Sequence, residues 1–93
     1  MPHTVEVKFS AHLKRFVDLP ESYQSTGGTV RDIIDALESE FPGISGYLLH
    51  ENGILRQHVN LFLDDRMVVD RTGLSDSLDS TKTIFVMQAL SGG

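Results

Sequence analysis

The chain has 93 residues and a mass of 10.3 kDa, enough for one small domain and too little for two. Hydrophobic residues make up 40% and charged ones 23%, a globular composition that is too apolar for a disordered tail. The chain has no cysteine, which excludes disulfides, thiolate metal sites, iron–sulfur clusters and a nucleophilic thiol, and its net charge of −5 makes nucleic acid or an anionic membrane a poor partner.

Thr4 to Ser10 alternates, with Val5, Val7 and Phe9 on one side and Thr4, Glu6 and Lys8 on the other, the period of a half-buried strand. Ala11 to Leu19 is polar at Lys14-Arg15 and ends at Pro20, which reads as a loop or turn. Glu21 to Thr26 reads as a short second strand closed by Gly27-Gly28. A helix follows. Thr29 is its N-cap, Asp32 suits the first turn, and Val30, Ile33, Ile34, Leu37 and Phe41 form one apolar stripe. Arg31, Asp35, Glu38 and Ser39 take the wet side, and Pro42-Gly43 stops the helix. Ile44 to Leu49 adds a short helical turn, with Leu48 and Leu49 closing the core.

Asn52-Gly53 marks a turn. In His58 to Leu63, Val59, Leu61 and Leu63 alternate with His58, Asn60 and Phe62, and Asp64-Asp65 reads as a solvated hairpin turn before Arg66 to Val69. Thr72 to Asp79 is a polar connection holding Leu74 and Leu78. Thr83 to Leu90 is the last strand, with Ile84, Val86 and Gln88 on one face and Phe85, Met87 and Ala89 on the other. The expectation is α+β: a sheet with one main helix packed on one face, the first and last strands lying centrally because they are the most hydrophobic.

No apolar run approaches the roughly 20 residues of a membrane span. The start, Met1-Pro2-His3-Thr4, lacks the regions of a signal peptide, so the expected location is cytoplasmic. His3, His12, His50 and His58 show no metal-ligand spacing. Gly27-Gly28-Thr29 lacks the longer glycine pattern with Lys-Ser or Lys-Thr of a nucleotide loop, which leaves a turn and a cap. No serine sits in a Gly-x-Ser-x-Gly elbow. No internal active site, metal or bound cofactor is therefore expected.

What remains is the end of the chain. A terminal Gly-Gly arises by chance in roughly one chain in two hundred at about 7% glycine per position, so a frayed tail is the competing reading. Against it, the pair follows the strongest strand without a spacer. Leu90, Ser91, Gly92 and Gly93, extended, would project roughly 13 Å and could thread a channel as wide as a backbone, with the Gly93 carboxylate at the tip.

These residues resemble the ThiS/MoaD family of ubiquitin-like sulfur carriers. The likeness rests on Gly28-Thr29-Val30, on Phe41-Pro42-Gly43-Ile44, on the run His58 to Asp65, and on Thr83 to Gly93 with its terminal Gly-Gly. The segments at Pro42-Gly43-Ile44 and Arg56 to Asp65 are most similar to carriers paired with cysteine-synthase-type enzymes, while Gln88-Ala89 stands where the family often has proline. The resemblance implies a ubiquitin-like β-grasp of four to five mixed strands over residues 1–93, with 90–93 a flexible tail. It implies that an adenylyltransferase of the ubiquitin-activating type uses ATP to adenylate Gly93. Sulfide or an enzyme persulfide then gives a thiocarboxylate, which donates sulfur to a cysteine-synthase-like enzyme, a pterin synthase large subunit or another acceptor. The protein itself would be a co-substrate and not an enzyme. The small subunit of a molybdopterin-synthase-like complex, a ubiquitin-like protein modifier and a plain interaction module are the alternatives.

The docking surface is a matter of facing. With Ile84 and Val86 under the helix, Phe85 and Met87 lie on the open face, joined by Phe62, as anchors for a partner. The inverted facing, which puts Phe85 and Met87 in the core, is the competing arrangement. The acidic surface suits steering toward a basic groove on an activating enzyme.

Overall fold

The computed structural model describes residues 4–88. Among them, five strands and three helices follow in the order β1 (Thr4–Phe9), α1 (Ala11–Lys14), β2 (Ser22–Thr26), α2 (Val30–Glu40), α3 (Ile44–Leu48), β3 (Val59–Leu63), β4 (Arg66–Met67) and β5 (Thr83–Gln88). The strands form one mixed sheet ordered β2-β1-β5-β3-β4. β1 and β5 run parallel and the other neighbours antiparallel, and β5 lies at the sheet centre between β1 and β3. This is the ubiquitin-like β-grasp.

Alternation in the strands decides the facing. Val5, Val7 and Phe9, Val59, Leu61 and Leu63, and Ile84 and Val86 are all buried in one core with Val30, Ile33, Ile34 and Leu37 of α2. Phe41, the last residue of the expected stripe, lies just past the helix as its C-cap. Its half-buried ring meets Phe9 and Tyr23 edge-on, at centroid distances of 6.2 and 5.3 Å. The facing with Ile84 and Val86 inward is the one adopted.

Two local expectations are corrected and a third gains a role. The loop read at Ala11 to Leu19 opens with a turn of helix, because Ser10 Oγ accepts the Leu13 N–H at 3.4 Å and Leu13 buries its side chain fully. β4 ends at Met67 rather than Val69: Val68 donates to Leu61 O and turns inward, while the Asp76 carboxylate takes the N–H groups of Val69 and Asp70. The Asp64-Asp65 turn is exposed as expected, but Asp64, at φ 58°, also accepts the N–H groups of Lys82 and Thr83, pinning the start of β5.

At the N-terminus of α2, after Gly27-Gly28-Thr29, the helix N–H groups are spent within the protein. The first of them would otherwise be free to bind an anion, and here each has a partner. Val30 donates to Asp76 O and Arg31 to Leu74 O, Asp32 donates to Thr29 Oγ1, and Ile33 donates to Thr29 O. The Asp32 carboxylate accepts from Gly28 and Thr29 in return, completing a capping box. A Cβ on Gly27 would sit 2.6 Å from Asp32 Cβ, so that position excludes any side chain.

The loop that supplies these carbonyls is itself organised by Asp70. Its carboxylate accepts the Ser75 hydroxyl at 2.6 Å and the N–H groups of Thr72, Gly73 and Ser75. The Ser75 hydroxyl, with the Gly73 and Ser75 amides, lowers the Asp70 pKa to about 2 from 3.8. Folding therefore favours the ionised form, a stabilisation complete above about pH 4 and lost as pH falls toward about 2. Asp70→Asn is expected to lower the melting temperature at neutral pH. The gap to the native protein should narrow between about pH 4 and 2, read by thermal unfolding monitored by circular dichroism across pH.

Candidate functional site

The open sheet face, opposite α2, carries the expected anchors. Phe62 and Phe85 are direct cross-strand partners and both half-buried, and Met87 is 37% exposed opposite Asn60. The register adds two residues to the same row. Phe85 is flanked by Lys8 on β1, and Phe62 by Met67 on β4, which is 52% exposed. Met67 was not among the expected anchors. Its signal was the two-residue Asp64-Asp65 turn, which forces residue 67 opposite residue 62 and onto its face. A partly exposed apolar row bounded on one side by a lysine is suited to a partner with an apolar centre.

The end of β5 is clamped from two sides. Ser10 donates its N–H to Val86 O at 2.9 Å, and its hydroxyl oxygen accepts the Gln88 N–H at 3.1 Å as well as capping α1. On the other side, Gln88 Nε2 donates to Tyr47 O of α3 at 3.4 Å. A second apolar ledge lies beside this exit, where Phe16, 53% exposed, stacks on Tyr47 with centroids 5.6 Å apart. Leu90, Ser91, Gly92 and Gly93, the residues expected to thread and react, lie outside the described residues.

Among the described residues no group of three or more His, Cys, Asp or Glu could hold a metal ion. None of their helices is long and apolar enough to cross a membrane. What the geometry positions is the end of β5 at Gln88, in the middle of the sheet beside a row of apolar side chains.

The ThiS family matches this chain over residues 7–93. The chain belongs to that family. Its members include ubiquitin-like small modifiers and sulfur carriers, not a class of catalysts. Small archaeal modifier protein 3 of Haloferax volcanii is 31% identical over 91 residues, covering 96% of this chain and 98% of the relative. A chain in the crystal structure of the Amycolatopsis orientalis BexX/CysO complex is 29% identical, with a TM-score of 0.79 over 96% of this chain and 99% of that one. SAMP1 from Haloferax volcanii superposes with a TM-score of 0.80 over 98% of this chain and 100% of its own, and at 20% identity it speaks for the fold.

Ser10 ties α1 to the end of β5. Ser10→Ala removes a helix cap and the hydrogen bond to Gln88 together. We expect a loss of about 1 kcal/mol in denaturant unfolding and faster hydrogen exchange at the Gln88 amide, with the Leu61 amide slowed or sped only by the global change.

Proposed function

We propose that this protein carries sulfur on its C-terminal Gly93. The observation that bears most weight is that the family match extends to Gly93 and so includes the terminal Gly-Gly. The Gly93 carboxylate attacks the α-phosphate of ATP in an activating enzyme, forming an acyl-adenylate and releasing pyrophosphate. Hydrosulfide displaces AMP from the acyl carbon, leaving a thiocarboxylate and a proton. The thiocarboxylate sulfur, a nucleophile, then attacks an electrophilic acceptor in a biosynthetic enzyme. The complex of CysO with BexX supports a carrier that works by docking on a partner protein.

The chain's own residues serve recognition. Phe62 and Phe85 form the centre of the docking row, with Met67 and Met87 beside them, and Leu90 to Gly92 enter the partner as a narrow arm. The net charge of −5 speeds encounter with a basic partner and makes the association rate fall with salt. A second reading, transfer of the Gly93 acyl group to a lysine amine of another protein, is favoured by the identity to small archaeal modifier protein 3. Both readings share the adenylate.

The shared step is tested by ATP–pyrophosphate exchange with an activating enzyme of the ubiquitin-activating type. Deleting Gly93 should abolish exchange and leave thermal unfolding unchanged. Exchange that persists without Gly93 overturns the proposal. Phe62→Ala and Phe85→Ala should each raise the KM for the carrier about tenfold to thirtyfold with kcat little changed, the mark of lost docking.

A further inference from the structure

β5 ends at Gln88, and beside that end a depression of about 500 Å3 opens between α3 and the segment 56–58 that leads into β3. Tyr47 and Val59 give it apolar walls, and His50, Arg56, His58 and Gln88 polar ones. The chain has 13 acidic residues against 8 lysines and arginines, yet no acid lines this depression. None of the docking-row residues lines it either.

The cationic wall is held from behind. Arg71 donates from Nη2 to Arg56 O at 2.6 Å and to Val59 O at 2.9 Å, and from Nη1 to Asn60 Oδ1 at 2.8 Å. Arg56 N donates to Leu48 O of α3, and Val59 N to Arg56 O, which closes a turn. Arg71 thus spends its guanidinium on the fold. Arg56 does not. Its Nε donates to Gly46 O at 3.0 Å, which orients the fork, and its remaining N–H groups make no hydrogen bond among the described residues. Nor does it meet a carboxylate there, since the ion pairs among those residues are Lys8–Glu6 and Lys14–Glu21. A guanidinium oriented in this way, with open N–H groups, is preorganised for a planar acceptor.

Charge, openness and the neighbouring surface define the occupant. Arg56 supplies one permanent charge, and His50 and His58 supply ring N–H donors, which matches a single carboxylate. Tyr47, His50, Gln57 and His58 are exposed and Arg56 is half-buried, so the depression is open on its outer side. Small-molecule sites bury about 70–90% of their ligand, which an open depression cannot do, whereas a protein surface laid across it closes it. Tyr47 also belongs to the apolar ledge, where Phe16, 53% exposed, stacks on it and meets the His12 ring edge-on at 5.2 Å. Tyr47 therefore joins that exposed apolar surface to the depression. Both border the end of β5: Ser10, the cap of α1, binds Gln88 on one side and Tyr47 O binds it on the other.

We propose that the depression is a second docking site, in which the enzyme that activates Gly93 places an Asp or Glu carboxylate on Arg56 and an apolar side chain on Phe16 and Tyr47. This rests on the reading that a partner activates Gly93, and it deepens that reading by naming what the partner must present. A protein that encloses the end of β5 meets the apolar row on the sheet face and this cationic depression on the helix side. The overall negative charge governs the approach. The local positive site then selects, among partners of suitable overall charge, those with an acid at the matching place.

The test is the dissociation constant of the full-length protein with an activating enzyme of the ubiquitin-activating type, measured by calorimetry, beside amide shifts of the isotope-labelled protein in the complex. Expected are shifts at Tyr47, Gln57 and His58 as well as at Phe62 and Phe85. Arg56→Glu should weaken binding about tenfold to a hundredfold, and a panel of enzymes with single Asp→Lys or Glu→Lys changes should contain one that restores it. Phe16→Ala should weaken binding about tenfold. His58 makes no hydrogen bond among the described residues, so His58→Glu puts a like charge in the depression without disturbing the fold. Its loss of about tenfold, with thermal unfolding unchanged, separates docking from folding. Unchanged affinity in both charge variants, with pyrophosphate exchange intact, overturns the proposal and leaves the carrier reading standing. Shifts confined to the sheet face overturn it too, as do concentration-dependent shifts at Gln57 and His58 without enzyme, which would put a second copy in the depression. Binding that depends on Arg56 but brings no pyrophosphate exchange would remove the carrier reading and leave the docking site standing.

Discussion

β5 is hydrogen-bonded along both edges, to β1 in parallel and to β3 antiparallel, and its inward side chains Ile84 and Val86 are buried beneath α2. A strand paired on both sides cannot be loosened without breaking two ladders and opening the core. Among the described residues β5 is thus the strand with neighbours on both edges and a buried inner face at the middle of the sheet. Both edges are short: β2 has five residues and β4 two, which limits strand addition by other molecules.

Side chains from distant parts of the chain hold the two ends of that strand. Asp64 takes the N–H groups of Lys82 and Thr83 at the start, and Ser10 takes that of Gln88 at the finish. The loop before β5 is tied to α2 as well, because its Leu74 and Asp76 carbonyls accept the first helix N–H groups. Leu74 adopts φ 56°, unusual for a branched apolar residue, and is kept there by full burial and by hydrogen bonds at both its N–H and its C=O. Helix cap, loop and central strand thereby form one connected arrangement.

Much of this was legible in the residues. Val5-Val7-Phe9 and Ile84-Val86 carry the period of two, Thr29 with Asp32 carries the cap, and the hydrophobicity of the outer strands in sequence placed them at the centre in space. What was hidden depends on partners far along the chain. Ser10 gives no sign in its own neighbourhood that it will cap α1 and bind Gln88, 78 residues away. Asp70 and Asp76 look like solvated loop acids, yet they fold the connection and cut β4 short. Met67 was recoverable from hairpin arithmetic. The depression lined by Tyr47, His50, Arg56, His58 and Gln88 was not, since its walls come from α3, the approach to β3 and the end of β5, which no local pattern joins.

With no cysteine anywhere, the protein can handle sulfur only where it has another reactive group, and the account places that group at Gly93. The most direct measurement is the intact mass of the protein after incubation with ATP, sulfide and an activating enzyme of the ubiquitin-activating type, followed by fragmentation. The account predicts a mass gain equal to exchange of one oxygen for sulfur, confined to Gly93. An unchanged mass, beside a control carrier that gains sulfur in the same mixture, would contradict it.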